Sequence, residues 1–98
     1  MVFTLSEIKI IAIPIACEFG VSKLGIFESY ARGEADDESD LDFYIERGKM
    51  RSLVEYTAFF MKLEEEFGCH VDVISLGIKD KEFLKRILNE GFLIWQNF

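Results

Sequence analysis

The sequence predicts an α+β fold: a mixed sheet of about four strands with helices packed on it. Three observations carry that prediction. Four segments, 23–27, 40–46, 70–76 and 92–96, have the length and apolar content of strands. Segments with apolar residues at helical spacing precede the first strand and separate the second from the third and the third from the fourth. The resulting order, helix–strand–(short helix)–strand–helix–strand–helix–strand, calls for a mixed sheet covered by helices.

Each element has its own signal. Ser6 is the expected N-cap of the first helix, with Ile8, Ile11, Ile15 and Phe19 on one face and Gly20 just past its end. Pro14 is expected to kink or break this helix. Ile10 and Ile13 fall off the main face, so the helix is apolar nearly all round. That pattern predicts burial against a partner or a second copy, in a hetero-oligomer or a homodimer. "KLGIF" reads as a strand, residues 29–33 as a short helix or turn, and "EADDES" as a polar loop. In "DLDFYIE", Leu41, Phe43 and Ile45 point one way and Asp40, Asp42 and Tyr44 the other. From Arg51 to Phe67, the positions Leu53, Tyr56, Phe60, Leu63 and Phe67 fit a helix closed by Gly68. "HVDVISL" is the third strand. Asp80 caps a helix running through Asn89, with Phe83, Leu84, Ile87 and Leu88 inward and Gly91 at its end, and "FLIWQ" is the last strand.

The chain has 98 residues, half of them apolar, and a single proline, which fits one folded domain spanning 1–98. Its formal charge is −7, from 18 acids against 11 bases. Such a surface argues against direct nucleic-acid binding, which needs clustered Lys and Arg. It leaves room for a small phosphorylated ligand held through metal ions. Cys17 and Cys69 are too few for a disulfide framework or a zinc site, and free thiols point to a reducing cytoplasm. Cys69-His70 has no second pair of ligands, and its reading is structural or incidental. "IIAIPIAC" could pass for a short signal core, but Glu7 and Lys9 precede it and no run approaches the roughly 18 apolar residues of a membrane span. The expectation is a soluble protein without a membrane anchor.

The chemistry lies in residues 25–46. Asp40 and Asp42 are one residue apart, so a strand aims both the same way. Two close carboxylates repel unless a cation lies between them, and such hard oxygen donors suit Mg²⁺ together with phosphates. Asp72, in the following strand, joins the pair if the two strands are neighbours. Two metals held by three carboxylates could then serve the attacking and the leaving oxygen. Asp-x-Asp alone fits a solvated sheet face equally well. Ser29 adds a second signal, because it opens a turn straight after a strand, where a hydroxyl and backbone amides attract phosphate. Arg32 is a candidate partner for phosphate or for the acidic loop, and Gly33 marks an unusual backbone angle.

These residues resemble the minimal nucleotidyltransferase domains of the DNA polymerase beta-like nucleotidyltransferase superfamily, whose hallmark is Gly-Ser, ten residues, then Asp-x-Asp. Here the stretch is Phe27-Glu28-Ser29-Tyr30-Ala31-Arg32-Gly33, with ten residues between Ser29 and Asp40. The resemblance extends over nearly the whole chain, through Val71-Asp72-Val73 and the closing "EGFLIW". It implies the polymerase beta palm-like fold, ATP as substrate, two Mg²⁺ ions and transfer of AMP to an acceptor hydroxyl. Asp40, Asp42 and Asp72 would hold the metals, Asp72 would help activate the acceptor, and Ser29 and Arg32 would bind the nucleotide. It also implies an antitoxin whose partner is a HEPN-domain toxin, modified on a tyrosine.

The departure is Glu28, where the hallmark has Gly. An anion about 5 Å from a phosphate costs about 3 kcal/mol at an effective dielectric near 20. Two function classes therefore stand side by side: an active protein adenylyltransferase, and an antitoxin of the same fold that neutralises its partner by binding.

Overall fold

The computed structural model of the chain describes residues 2–77 and 80–96. Its elements, in order, are α1 (Leu5–Phe19), β1 (Lys23–Phe27), α2 (Ser29–Arg32), β2 (Leu41–Glu46), α3 (Leu53–Phe67), β3 (Val71–Ser75), α4 (Lys81–Glu90) and β4 (Phe92–Gln96). They form the expected α+β arrangement around one mixed four-stranded sheet, ordered β3-β2-β1-β4. β1 pairs antiparallel with β2 and with β4, while β2 and β3 run parallel across the α3 crossover. None of the helices is long and apolar enough to cross a membrane.

Alternation along the strands divides the sheet into two unlike faces. Leu24 and Ile26 of β1, Leu41, Phe43 and Ile45 of β2, and Val71 of β3 build the main core. Against them pack Ile8, Ala12, Ile15 and Ala16 of α1, and Phe59, Leu63 and Phe67 of α3. Fully burying side chains of this size stabilises by about 1.5–3 kcal/mol each, so this face holds the fold together. The opposite face carries a smaller cluster, Phe27, Tyr44 and Ile87, joined by Ile74, Leu76 and Phe83. There α4 covers part of the sheet and leaves the end bearing Asp42 and Asp72 open.

Local chemistry corrects several details of the sequence reading. α1 is capped by Thr4, not Ser6, because Thr4 has Glu7 three residues on. Thr4 Oγ1 accepts from the Glu7 amide at 3.1 Å, and Glu7 Oε1 accepts from the Thr4 amide at 2.9 Å. Pro14 lies inside an unbroken helix. The carbonyl it orphans is that of Ile10, a residue 72% exposed, so water can satisfy it. On α3, Leu53 is 78% exposed at the first turn, and Phe59 takes the central buried place. On α4 only Ile87 is fully buried, with Phe83 and Leu84 half-buried and Leu88 facing out.

Tyr44 depends on a glycine. It stands opposite Gly25 in the β1–β2 register, and a Cβ built on Gly25 would overlap its ring. Overpacking of this kind costs typically 1–3 kcal/mol. Gly25→Ala is therefore expected to destabilise the chain by about 2 kcal/mol in urea unfolding. In a Tyr44→Leu background the same change should cost less than half as much. Equal costs in both backgrounds would show that the ring is not the obstacle.

Candidate functional site

The parallel pairing of β2 and β3 fixes the site. In register, Leu41 stands beside Val71 and Asp42 beside Asp72, so one apolar pair enters the core and one carboxylate pair faces out. Asp40 lies one residue before β2, on the same side as Asp42. Asp40, Asp42 and Asp72 thus lie at one end of the sheet, but the group of ligand atoms gathered within 4.8 Å among the described residues is that of Asp40, His70 and Asp72, without Asp42. Because β1 runs antiparallel to β2, Phe27 is opposite Asp42, and the turn that begins at Glu28 and Ser29 rises beside the same carboxylate.

Asp42 is the half-buried member. Burial first, then the Asp72 carboxylate to which it is hydrogen-bonded, then Glu28 and Asp40, push its pKa up to about 7. The site is short of positive charge, as a site built for a cation would be.

His70 was not among the residues expected here. It precedes Asp72 by two, and its Nε2 lies 3.3 Å from Asp72 Oδ1. Its Nδ1 lies 3.2 Å from Glu64 Oε2 on α3. Partial desolvation opposes the charged ring, but Asp72, Asp40 and Glu64 outweigh it and raise the His70 pKa. Ligand atoms of Asp40, His70 and Asp72 all lie within 4.8 Å of one another. A signal was present: His70-x-Asp72 repeats the spacing of Asp40-x-Asp42, and the register sets the two pairs side by side.

Ser29 opens α2, and Gly33 ends it with φ 72°, its amide reaching the Ser29 and Tyr30 carbonyls. Arg32 turns toward acids: its Nε is 3.1 Å from Glu34 Oε2 and its Nη1 3.3 Å from Glu28 Oε2. Glu28 itself adopts φ 59° and ψ −139°, a conformation natural to glycine. Arg86 of α4, also outside the sequence reading, donates from Nη2 to Glu28 Oε1 at 2.6 Å. Glu28 therefore enters the site paired with two guanidinium groups.

Asp42 sets a pH dependence. The folded carboxyl keeps its proton to about pH 7, whereas an unfolded one loses it near pH 4. Folding stability from this group is thus full below pH 4, falls from pH 4 to 7 and is flat above. Each tenfold change in proton affinity is worth about 1.4 kcal/mol, and solvent screening at a half-exposed site leaves roughly 1–2 kcal/mol. In chelator-treated protein, Asp42→Asn is expected to gain that much stability at pH 8 and almost none at pH 4. A gain independent of pH would contradict this assignment.

The polymerase beta nucleotidyltransferase family model matches residues 9–97. "Putative protein adenylyltransferase MJ0435" of Methanocaldococcus jannaschii is 40% identical over 87 residues, spanning 89% of this chain and 94% of the relative. Protein adenylyltransferase MntA of Thermococcus cleftensis is 33% identical over 72 residues, spanning 74% of this chain and 73% of the relative. Among solved structures, a minimal nucleotidyltransferase superposes with TM-score 0.78 at 26% identity, covering 90% of each chain. A toxin–antitoxin complex with AMP-PNP also gives 0.78, at 16% identity, covering 91% of this chain and 73% of that one, a likeness of fold. The sheet is like that of a minimal nucleotidyltransferase, and the chain belongs to the polymerase beta nucleotidyltransferase family.

Proposed function

We propose that the chain is a nucleotidyltransferase antitoxin that moves AMP from ATP to a hydroxyl, a tyrosine, of a HEPN-domain toxin. The observation that carries this reading is the register pair Asp42–Asp72 with Asp40 beside it, next to the Ser29 turn. The names of the relatives support the reaction, and the toxin–antitoxin neighbour of the same fold supports the setting.

The donor set fits the implied metal, being three carboxylates of which one, Asp42, is pushed up to about 7 by burial and then by its acidic neighbours. Asp40, Asp42 and Asp72 would hold two Mg²⁺ ions, which would supply charge neutralisation, orientation of the triphosphate and a more acidic acceptor hydroxyl. Ser29 donates its hydroxyl hydrogen bond to a phosphate oxygen. Arg32 can follow by releasing one of its two acids. Asp72 takes the proton of the acceptor hydroxyl as that oxygen attacks the α-phosphorus. The bond to the bridging oxygen breaks, and pyrophosphate leaves. The acceptor comes from the partner, for which exposed apolar surface is available: Ile10 on α1, and Leu53, Val54 and Met61 on α3.

Glu28 supports a second reading, an antitoxin acting by contact alone. The two arginines that hold it offset its charge, which is why the enzyme is preferred.

Calorimetry with ATP and Mg²⁺ separates the two. The wild type is expected to bind, and Glu28→Gly to bind about tenfold more tightly, a change of about 1.4 kcal/mol. Absence of binding in the wild type, with binding restored in Glu28→Gly, would replace the enzyme with the contact antitoxin. With labelled ATP and the toxin, label should reach the toxin and fall at least a hundredfold with Asp40→Ala. Label that survives Asp40→Ala would rule out the carboxylate mechanism.

A further inference from the structure

The contacts of His70 go beyond a site of three carboxylates. Glu64 Oε2 lies 3.2 Å from His70 Nδ1 and 3.4 Å from the Val71 amide, which donates to it. An ionised carboxylate only accepts, so Nδ1 carries its proton toward Glu64. Nε2 is left as the ring nitrogen that faces Asp72 Oδ1 at 3.3 Å, with Asp40 within reach of both. The ring nitrogen and the carboxylate oxygen at that separation hold a positive charge between them, a proton on the ring or a bound cation. Adjacent ligands about 2.1 Å from one cation stand about 3 Å apart. Carboxylate–imidazole–cation is the arrangement in which metal-binding histidines are usually oriented.

We propose that His70, oriented by Glu64, is a nitrogen ligand of this site, and that it selects a first-row transition ion of the Mn²⁺-to-Zn²⁺ series over Mg²⁺. The inference rests on the proposed function only in taking the Asp40–Asp42–Asp72 end as the metal site. Imidazole binds transition ions well, whereas Mg²⁺ takes oxygen donors and gives up its water reluctantly. A nitrogen ligand therefore adds affinity for one class of ion and almost none for the other. His70 is exposed and outside the core, so it can be replaced without disturbing the fold.

The test uses the whole chain with Mn²⁺ alone and Mg²⁺ alone, free of nucleotide. Free Mn²⁺ is counted by electron paramagnetic resonance, and Mg²⁺ binding is measured by calorimetry. The wild type is expected to favour Mn²⁺ at least tenfold, and pulsed resonance should show modulation from a coordinated imidazole nitrogen. His70→Ala should lose the nitrogen signal and at least tenfold in Mn²⁺ affinity, while its Mg²⁺ affinity moves less than threefold. Glu64→Gln should keep the nitrogen signal and weaken Mn²⁺ about tenfold. Binding of both ions that disappears in Asp40→Ala, with no nitrogen signal and no effect of His70→Ala, would overturn the role of His70 and leave the carboxylate site standing. Failure of both ions to bind the wild type would overturn both.

Discussion

The parallel register between β2 and β3 is the constraint on which the rest depends. It sets two aspartates side by side, and at the half-buried Asp42 burial first and then the Asp72 carboxylate oppose the charge. A chain bears such an arrangement only where the surrounding fold is firm. Here the opposite face supplies that firmness, because Leu41, Phe43, Ile45 and Val71 alternate with the acids and are fully or nearly fully buried. A slip of one residue would drive Asp42 into the core and Phe43 into water. The hydrophobic core and the acidic site are thus two consequences of one strand pairing.

Glu28 shows the same economy. A non-glycine residue at φ 59° costs on the order of 1–3 kcal/mol and needs neighbours that enforce the conformation. Arg86 from α4 and Arg32 from α2 pair with its carboxylate, and they tie the turn beside Asp42 to the helix that covers the second face. The carboxylate adds to the acidity of the site, since it helps raise the Asp42 pKa, and the two guanidinium groups that hold it bring positive charge to the same edge.

Much of this was legible in the sequence, for identifiable physical reasons. The second strand was plain because Leu41, Phe43 and Ile45 recur with a period of two in the sequence, although Tyr44 between them is also buried, on the other face. Helix ends at Gly20 and Gly68 were plain because both residues adopt the left-handed angle that glycine tolerates. The Asp-x-Asp pair and the serine turn were plain because their chemistry is local. The partners of Glu28 were hidden: Arg86 is 58 positions away, and only the packing of α4 reveals the contact. His70 was passed over because Cys69-His70, with no second pair of ligands, read as structural or incidental, whereas its contact is with Asp72. Leu53 and Leu88 misled because periodicity marks one face of a helix without saying where along its length the core ends.

The most direct test of the metal site is a crystal structure of the chain with Mn²⁺ and a non-hydrolysable ATP analogue, read by anomalous scattering. The account predicts a peak between the Asp42 and Asp72 carboxylates, within bonding distance of Asp40, with the triphosphate reaching Ser29. A nucleotide bound elsewhere, or Asp42 and Asp72 remaining hydrogen-bonded to each other with no peak between them, would contradict it.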